Sequence, residues 1–316
     1  MKIRLATRGS KLALLQAKEV AAELRKHGNR VELETVESHG DQDPNTPLER
    51  MGVKGIFEKE VDRLVLGGSA EAAVHSLKDV PYELEGEVEV VAVLRRAPAF
   101  DAILPLPLEN IEYGAAVAVG SLRRRSFLKV VRPDLIPAQI RGNMDTRVRK
   151  VRGGYAQGLI GAEAAFRRLG LHCWHRLSAK TFVPSPGQGA IAVTCLGSAP
   201  GELRSELTRI CHKPTLEETL AERLVAHKIG AGCTSPLGVY ADRMADGRAR
   251  IRVSVTDPGA SKKVYVEIRG TNPIETVPRV VESFVAVGGL DFIRAWQRLD
   301  NSGINMSSHT GEGHRL

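Results

Sequence analysis

Apolar residues in this chain alternate between short buried runs and helical stripes, and the order strand, helix, strand begins at the first residues. Ile3-Arg4-Leu5-Ala6 reads as an opening strand. Ala13, Ala17, Val20, Ala21 and Leu24 then share one face at helical spacing, predicting a helix that ends near Lys26. Ser10 suits its N-cap and Gly28 its stop. Residues 31–36 alternate as a second strand, and Phe57, Val61, Leu64 and Val65 form a second helical face. Residues 72–74 and 88–94 read as further buried strands. Past Pro98, Pro105 and Pro107 the pattern restarts: strand 115–119, helix, strand 136–140, helix, strand 159–162, helix. The rigid crossover Phe182-Val183-Pro184-Ser185-Pro186-Gly187-Gln188-Gly189-Ala190 leads to strand 191–194, which is expected to rejoin the first domain. Thr215-Leu216-Glu217-Glu218 reads as a capping box. Strands 251–255 and 264–268 and helices near 277–287 and 290–299 follow, and a polar tail runs from Asp300.

This order makes the chain α/β, and its 316 residues exceed what one core holds, so two or three domains are expected. Hydrophobic residues at 42% and charged residues at 26% are ordinary for a globular protein, whereas 4% aromatics argue against base-stacking platforms. No apolar run approaches a membrane span, and Met1-Lys2-Ile3-Arg4-Leu5 has no signal-peptide core, so a cytoplasmic protein is expected. Cys173, Cys195, Cys211 and Cys233 form no two-residue-spaced pair, and no metal site is expected.

Charge changes the picture more. The net charge is +8, yet residues 117–170 alone hold twelve Lys/Arg against Asp134, Asp145 and Glu163, a balance of +9. Arg outnumbers Lys 31 to 14, and its planar fork pairs bidentately with carboxylate or phosphate. These arginines gather where strands end and helices begin, where free backbone N–H groups favour anions: Arg8 beside Ser10, Arg123 and Arg124 after Ser121, Arg141 and Arg147, then Arg167 and Arg168. Such a cluster suits nucleic acid or a polyanionic small molecule.

Val74-His75-Ser76-Leu77-Lys78-Asp79-Val80-Pro81 crowds polar groups at the carboxyl end of one strand, the place where open α/β sheets bind ligands. The aperiodic stretch 40–55, with Lys54 near its end, has the length of a lid. Cys233 lies among Gly230, Gly232 and Pro236, a setting that permits a reactive thiol.

Seven stretches in order resemble the porphobilinogen deaminase family, also called hydroxymethylbilane synthase. They are Ala6-Thr7-Arg8-Gly9-Ser10, Gly52-Val53-Lys54-Gly55-Ile56-Phe57, the Ala73–Pro81 motif, Ser121-Leu122-Arg123-Arg124, Arg141-Gly142-Asn143-Met144-Asp145-Thr146-Arg147, the Pro184–Ala190 motif, and Gly232-Cys233 before Pro236-Leu237-Gly238. The resemblance runs from Arg4 to about Ala241. It implies three α/β domains: residues 1–96 with 189–208, residues 97–188, and a small α+β domain over 209–300 that carries the cofactor cysteine, with a flexible tail over 301–316. The first two are expected to look like periplasmic binding protein lobes. A dipyrromethane cofactor held by a thioether at Cys233 is implied, with Ser10, Lys78, Asp79, Ser121, Arg123 and Arg124 around it. Four porphobilinogens would condense on it with loss of ammonia, before hydrolysis releases hydroxymethylbilane. Arg8, Gln16, Lys54, Arg141, Arg147 and Arg168 would meet substrate carboxylates. Asp79 would be the catalytic residue, stabilising the cation left when ammonia departs.

A monomer is expected, with porphobilinogen as its small-molecule partner and no metal, nucleic acid or membrane. Two other readings remain open at this point: a non-catalytic two-lobed anion-binding protein, and a nucleic-acid binder built on residues 117–170. The chain also departs from the family pattern. Val119 and Gly120 stand where hydroxyl residues are usual, Phe100 where arginine is common before Asp101-Ala102, Leu15 where tryptophan is, and Thr194 where glutamate is.

Overall fold

The computed structural model describes residues 1–36, 56–82, 84, 86–231 and 235–301. Two five-stranded sheets and one three-stranded sheet organise it. The first sheet contains β1 (Lys2–Arg8), β2 (Arg30–Val36), β3 (Ala72–Ser76), β4 (Val88–Val93) and β10 (Ile191–Leu196), in the order β2-β1-β3-β10-β4. The second contains β5 (Asp101–Leu104), β6 (Ala116–Val119), β7 (Ile136–Gln139), β8 (Gly158–Ala162) and β9 (His175–Arg176), in the order β7-β6-β8-β5-β9.

The two sheets share one plan. In each, three parallel strands are followed by one antiparallel strand, and that strand is the first to arrive from the other lobe. β10 enters the first lobe from the second, and β5 enters the second from the first. The chain therefore crosses between lobes twice, and the two crossings run side by side, with Ala97 N–H donating to Gly189 O at 3.2 Å. Gly189 has φ +88° there, and a Cβ on it would lie 2.5 Å from Ala97 O, so only glycine fits.

Helices α1 (Lys11–Lys26) and α2 (Ile56–Leu66) pack on the first sheet, α1 through the predicted stripe of Ala17, Val20, Ala21 and Leu24. On the second sheet lie α3 (Leu122–Val131), α4 (Met144–Arg152) and α5 (Glu163–Arg168). Ser10 caps α1 as expected, accepting from Ala13 N–H at 3.3 Å. Helix α6 (Gly201–Arg209) returns to the first lobe, where Leu203 and Leu207 join its core.

The third unit packs α7 (Lys213–Lys228), α8 (Pro273–Ala286) and α9 (Gly289–Asn301) on a meander of β11 (Gly238–Arg243), β12 (Ala249–Thr256) and β13 (Lys263–Gly270). Its other face lays Tyr240 and Tyr265 against the core of the second lobe. The expected capping box is corrected here: α7 starts at Lys213, His212 is its cap, and the His212 ring accepts from Thr215 N–H at 3.3 Å. Pro214 in the first turn, where its missing N–H costs nothing, moves the start ahead of Thr215. Strands β5 and β11 and helix α6 were not predicted. The first is a four-residue run between prolines, too short to show a period.

Glu222, fully buried on α7, ties the units together. Its carboxylate pairs with Arg96 at 2.7 Å and accepts from Gly187 N–H at 2.7 Å and Ala241 N–H at 2.8 Å. Burial opposes the charge of Arg96, but Glu222 outweighs it and holds Arg96 above the usual arginine range. Among the described residues, no helix is long and apolar enough to cross a membrane.

Candidate active site

The parallel strands of both lobes end toward one interlobe cleft. Gln16 of α1, Ser76 and Lys78 at the end of β3, Ala165 and Arg168 of α5, and Gln188 of the crossover line its wall. Because β1 runs parallel to β3 in the first sheet and β6 to β8 in the second, the strand-to-helix junctions of each lobe gather at one end of its sheet, as expected of an open α/β sheet. Asp79 closes a single 3-10 turn, Leu77–Asp79, and both Lys78 and Asp79 are exposed on it.

Behind the cleft, the expected Arg123 and Arg124 meet two partners that the sequence did not single out, Asp101 and Gln188. Asp101, fully buried on β5, accepts from Arg123 Nη1 at 2.7 Å and from Arg124 Nε at 2.9 Å. Gln188 completes it: Nε2 donates to Asp101 Oδ1 at 2.9 Å and Oε1 accepts from Arg124 Nη2 at 2.9 Å. Burial works against the Asp101 charge, yet the two guanidinium groups outweigh it and hold its pKa down at about 2. Arg123 also donates to Val183 O at 2.7 Å. Expected at the cofactor, Arg123 is thus turned inward and spends its fork on Asp101 and Val183.

In front of this cluster the positive charge is not balanced by acids among the described residues. Burial, with repulsion from Arg124 and Arg141 adding to it, lowers Arg147 to about 10. Lys78 is lowered by desolvation, with Asp79 opposing and Arg124 adding to the shift. Lys78 keeps accessible surface and yet is desolvated, the condition of a side chain on the wall of a deep cleft. Among the described residues no carboxylate pairs with Arg141 or Arg147. Arg147 Nε donates to Gly142 O at 2.7 Å, and its Nη1 lies where a side chain at position 120 would begin, 2.5 Å from an ideal Cβ. The missing side chain at Gly120 is therefore the space that the Arg147 guanidinium fills.

Ser121 stands at the N-cap of α3 with no capping bond from its side chain, which leaves its hydroxyl for a ligand. Gln16 is buried and its amide bonds Ser76 Oγ, with Nε2 donating at 2.9 Å. Arg8 ends β1, partly buried. Arg168 crosses to the first lobe and pairs with Glu19 at 2.8 Å. Cys233, Lys54 and the expected lid over residues 40–55 lie outside the described residues, as does the tail from residue 302.

His75, left without a role by the sequence, is buried beneath the turn. Its Nε2 lies 2.9 Å from Asp62 Oδ1, and Thr194 Oγ1 donates to the same oxygen at 2.9 Å. Thr194 in place of a family glutamate thus completes a contact to Asp62 instead of adding a second acid. The basic surplus of residues 117–170 is also partly internal. Asp101, outside that window, neutralises Arg123 and Arg124, while Glu163 pairs with Arg167 at 2.7 Å and Asp134 with Arg132 at 2.7 Å.

Two α/β lobes flanking a cleft with Lys78 and Arg168 on its wall, and a third unit packed against both, define a two-lobed α/β protein with a C-terminal domain. Sequence comparison places it further. The family profile described as "Porphobilinogen deaminase, dipyromethane cofactor binding domain" matches residues 3–200, and the profile of the C-terminal domain of the same family matches residues 216–285. The chain belongs to the porphobilinogen deaminase family. It is 39% identical over 272 residues to a probable porphobilinogen deaminase of Saccharolobus islandicus, covering 82% of this chain and 92% of that one. It is 39% identical over 299 residues to one of Ignicoccus hospitalis, covering 91% and 96%. Among solved structures it is similar to the methionine-binding protein MetQ at a TM-score of 0.42 and 12% identity, over 66% of this chain and 89% of that one.

Proposed function

We propose that this chain is a hydroxymethylbilane synthase. It condenses four porphobilinogens with release of ammonia and hydrolyses the product from a dipyrromethane primer attached at Cys233. One observation carries the reading. Desolvation, with repulsion from Arg124 adding to it, lowers both Lys78 and Arg147, and among the described residues no carboxylate pairs with Arg141 or Arg147, so positive charge gathers there beyond what the described acids balance. Each pyrrole of this chemistry brings an acetate and a propionate, so a growing chain supplies the missing negative charge.

The donor set fits the primer on the same ground. Ser10, Lys78, Ser121 and Arg124 would hold its carboxylates, with Arg123 positioning Arg124 through Asp101. A bound dipyrromethane supplies the pyrrole nucleophile from which growth starts. Arg8, Gln16, Lys54, Arg141, Arg147 and Arg168 would take substrate carboxylates. Asp79, exposed beside Lys78, would accept pyrrole N–H groups and stabilise positive charge on the substrate carbon as ammonia leaves. We take the domains as residues 1–96 with 189–208, residues 97–188 and residues 209–300, the third carrying the attachment loop. A cytoplasmic monomer without metal suits this reading.

Intact-mass analysis of the purified protein tests it. A covalent increment confined to the peptide with Cys233, together with linear tetrapyrrole from porphobilinogen, is expected. An unmodified chain that forms no product would overturn the reading.

A further inference from the structure

Arg168, expected to meet a substrate carboxylate, already holds one. Its Nε donates to Glu19 Oε1 at 2.8 Å and its Nη2 to Oε2 at 3.4 Å, a bidentate pair, while Nη2 also reaches Gly189 O at 3.3 Å. The partners belong to different lobes, Glu19 to α1 and Arg168 to α5, and those helices pack across the cleft. Leu12, Gln16 and Glu19 follow one another by four and three residues, so the helix face that carries Leu12 and Gln16 into the cleft carries Glu19 at its rim.

The burial of the two side chains is unequal. Arg168 is 8% exposed and fixed, whereas Glu19 is 45% exposed. A carboxylate so open to water gains little from its partner, because attraction is screened and the side chain gives up rotamers. The guanidinium stays in place and the acid can be exchanged.

We propose that Glu19 is a built-in stand-in for a substrate carboxylate. It occupies the Arg168 fork while the cleft is empty and must be displaced when a pyrrole acetate or propionate arrives. Glu19 thereby sets substrate affinity, and its displacement releases one tie between the lobes as substrate enters. No covalent change is involved. The inference rests on Arg168 being a substrate contact under the function proposed above.

Glu19→Gln in the cofactor-bearing protein tests it, with Glu19→Asp as a second variant whose shorter arm also weakens the pair. Removing the competing charge should lower KM for porphobilinogen about two- to fivefold at unchanged kcat, the range an exposed ion pair commands. The advantage should shrink as salt rises, since the displaced pair is itself screened. The rise in Tm produced by saturating porphobilinogen should be larger in Glu19→Gln than in wild type. A purely structural pair would instead leave KM unchanged or raise it, and that result would overturn the proposal. The two readings fail separately. Product formation with unaltered KM and Tm response in Glu19→Gln removes the stand-in alone. A larger Tm response without product from wild type removes the enzyme and keeps the stand-in, and no response in either protein removes both.

Discussion

Arg223 Nη1 donates to the Val80 carbonyl at 2.7 Å, and its Nη2 to the Pro81 carbonyl at 2.7 Å, so α7 grips the turn that carries Asp79. Tyr82 lies over the same guanidinium and stacks on His227 one turn further along the helix, with ring centroids 4.1 Å apart. Burial lowers Arg223 by stripping water from its charge, with Tyr82 opposing. The helix then runs on through Ile229 toward the segment that contains Cys233. One element of the third unit thus holds the Asp79 turn in place.

Arg223→Ala should therefore cost stability and turnover together. Losing charged donors to two carbonyls predicts a loss of about 3 kcal/mol, read as a lower denaturation midpoint. In the variant that still folds, kcat should fall while the covalent mass at Cys233 persists. Full kcat in that variant would show that the turn keeps its place without α7.

Replacing Asp101 with Asn leaves Arg123 and Arg124 buried without their counter-charge. Breaking a buried pair in this way costs about 3–5 kcal/mol, so Asp101→Asn should melt far earlier or fail to fold. The wild-type carboxylate gives a matching pH signature. Its pKa lies at about 2 in the folded state against 3.8 unfolded, a depressed acid. Its stabilisation, about 2 kcal/mol, is present above pH 4 and is lost as pH falls through the window down to 2. Urea melts at pH 5 and pH 3 measure the slope, which should be shallower in any Asp101→Asn protein that folds.

The gap between sequence and structure falls along physical lines. The stripe of Ala17, Val20, Ala21 and Leu24 announced α1 because a period needs only local residues. Arg124, Arg141 and Arg147 read as an anion site because they sit where helices begin, and helix N-termini carry free N–H groups. Asp101 and Glu222 gave no such sign, since a buried acid is defined by partners 22 and 126 residues away. For the same reason the acid shared by Arg123 and Arg124 could not be read beside them: the sequence shows the two charges, and only the fold shows Asp101 behind both. Position 120 read as the loss of a donor until Arg147 was found in the space.

Glu218 offers a test of the third unit with the opposite sign. Desolvation raises its pKa to about 7, with Arg96 opposing and Glu222 and Asp242 adding to the rise. A raised acid stabilises the fold below the unfolded value of 4.5, and that contribution is lost as pH rises through 7. Glu218→Gln should accordingly raise Tm at pH 8 and leave it nearly unchanged at pH 4. A uniform shift at both pH values would mean that packing, not ionisation, decides the effect.

Asp79 is exposed at the end of its turn, so Asp79→Asn should leave Tm unaltered while most turnover is lost. Mass spectrometry of the variant reports whether the increment expected at Cys233 under the proposed function is still present. Near-normal rates would remove Asp79 from its role.

Gly120 tests whether Arg147 occupies the place of the missing hydroxyl. A Cβ there would lie 2.5 Å from Arg147 Nη1 and 3.0 Å from the Ile140 carbonyl. The guanidinium is the flexible end of its side chain and can leave, while the carbonyl needs to yield only a few tenths of an ångström. Gly120→Ser should thus fold with stability within about 1 kcal/mol of wild type. It exchanges a charged donor for a neutral one, a net loss of about 1.4 kcal/mol, and KM should rise about tenfold. Arg147→Ala should raise KM by a similar route. If the serine expels Arg147 and takes its place, the double variant Gly120→Ser/Arg147→Ala should show the KM of Gly120→Ser alone, because the arginine it removes has already left the contact. Additive effects on KM would mean that Gly120 and Arg147 act on the substrate independently.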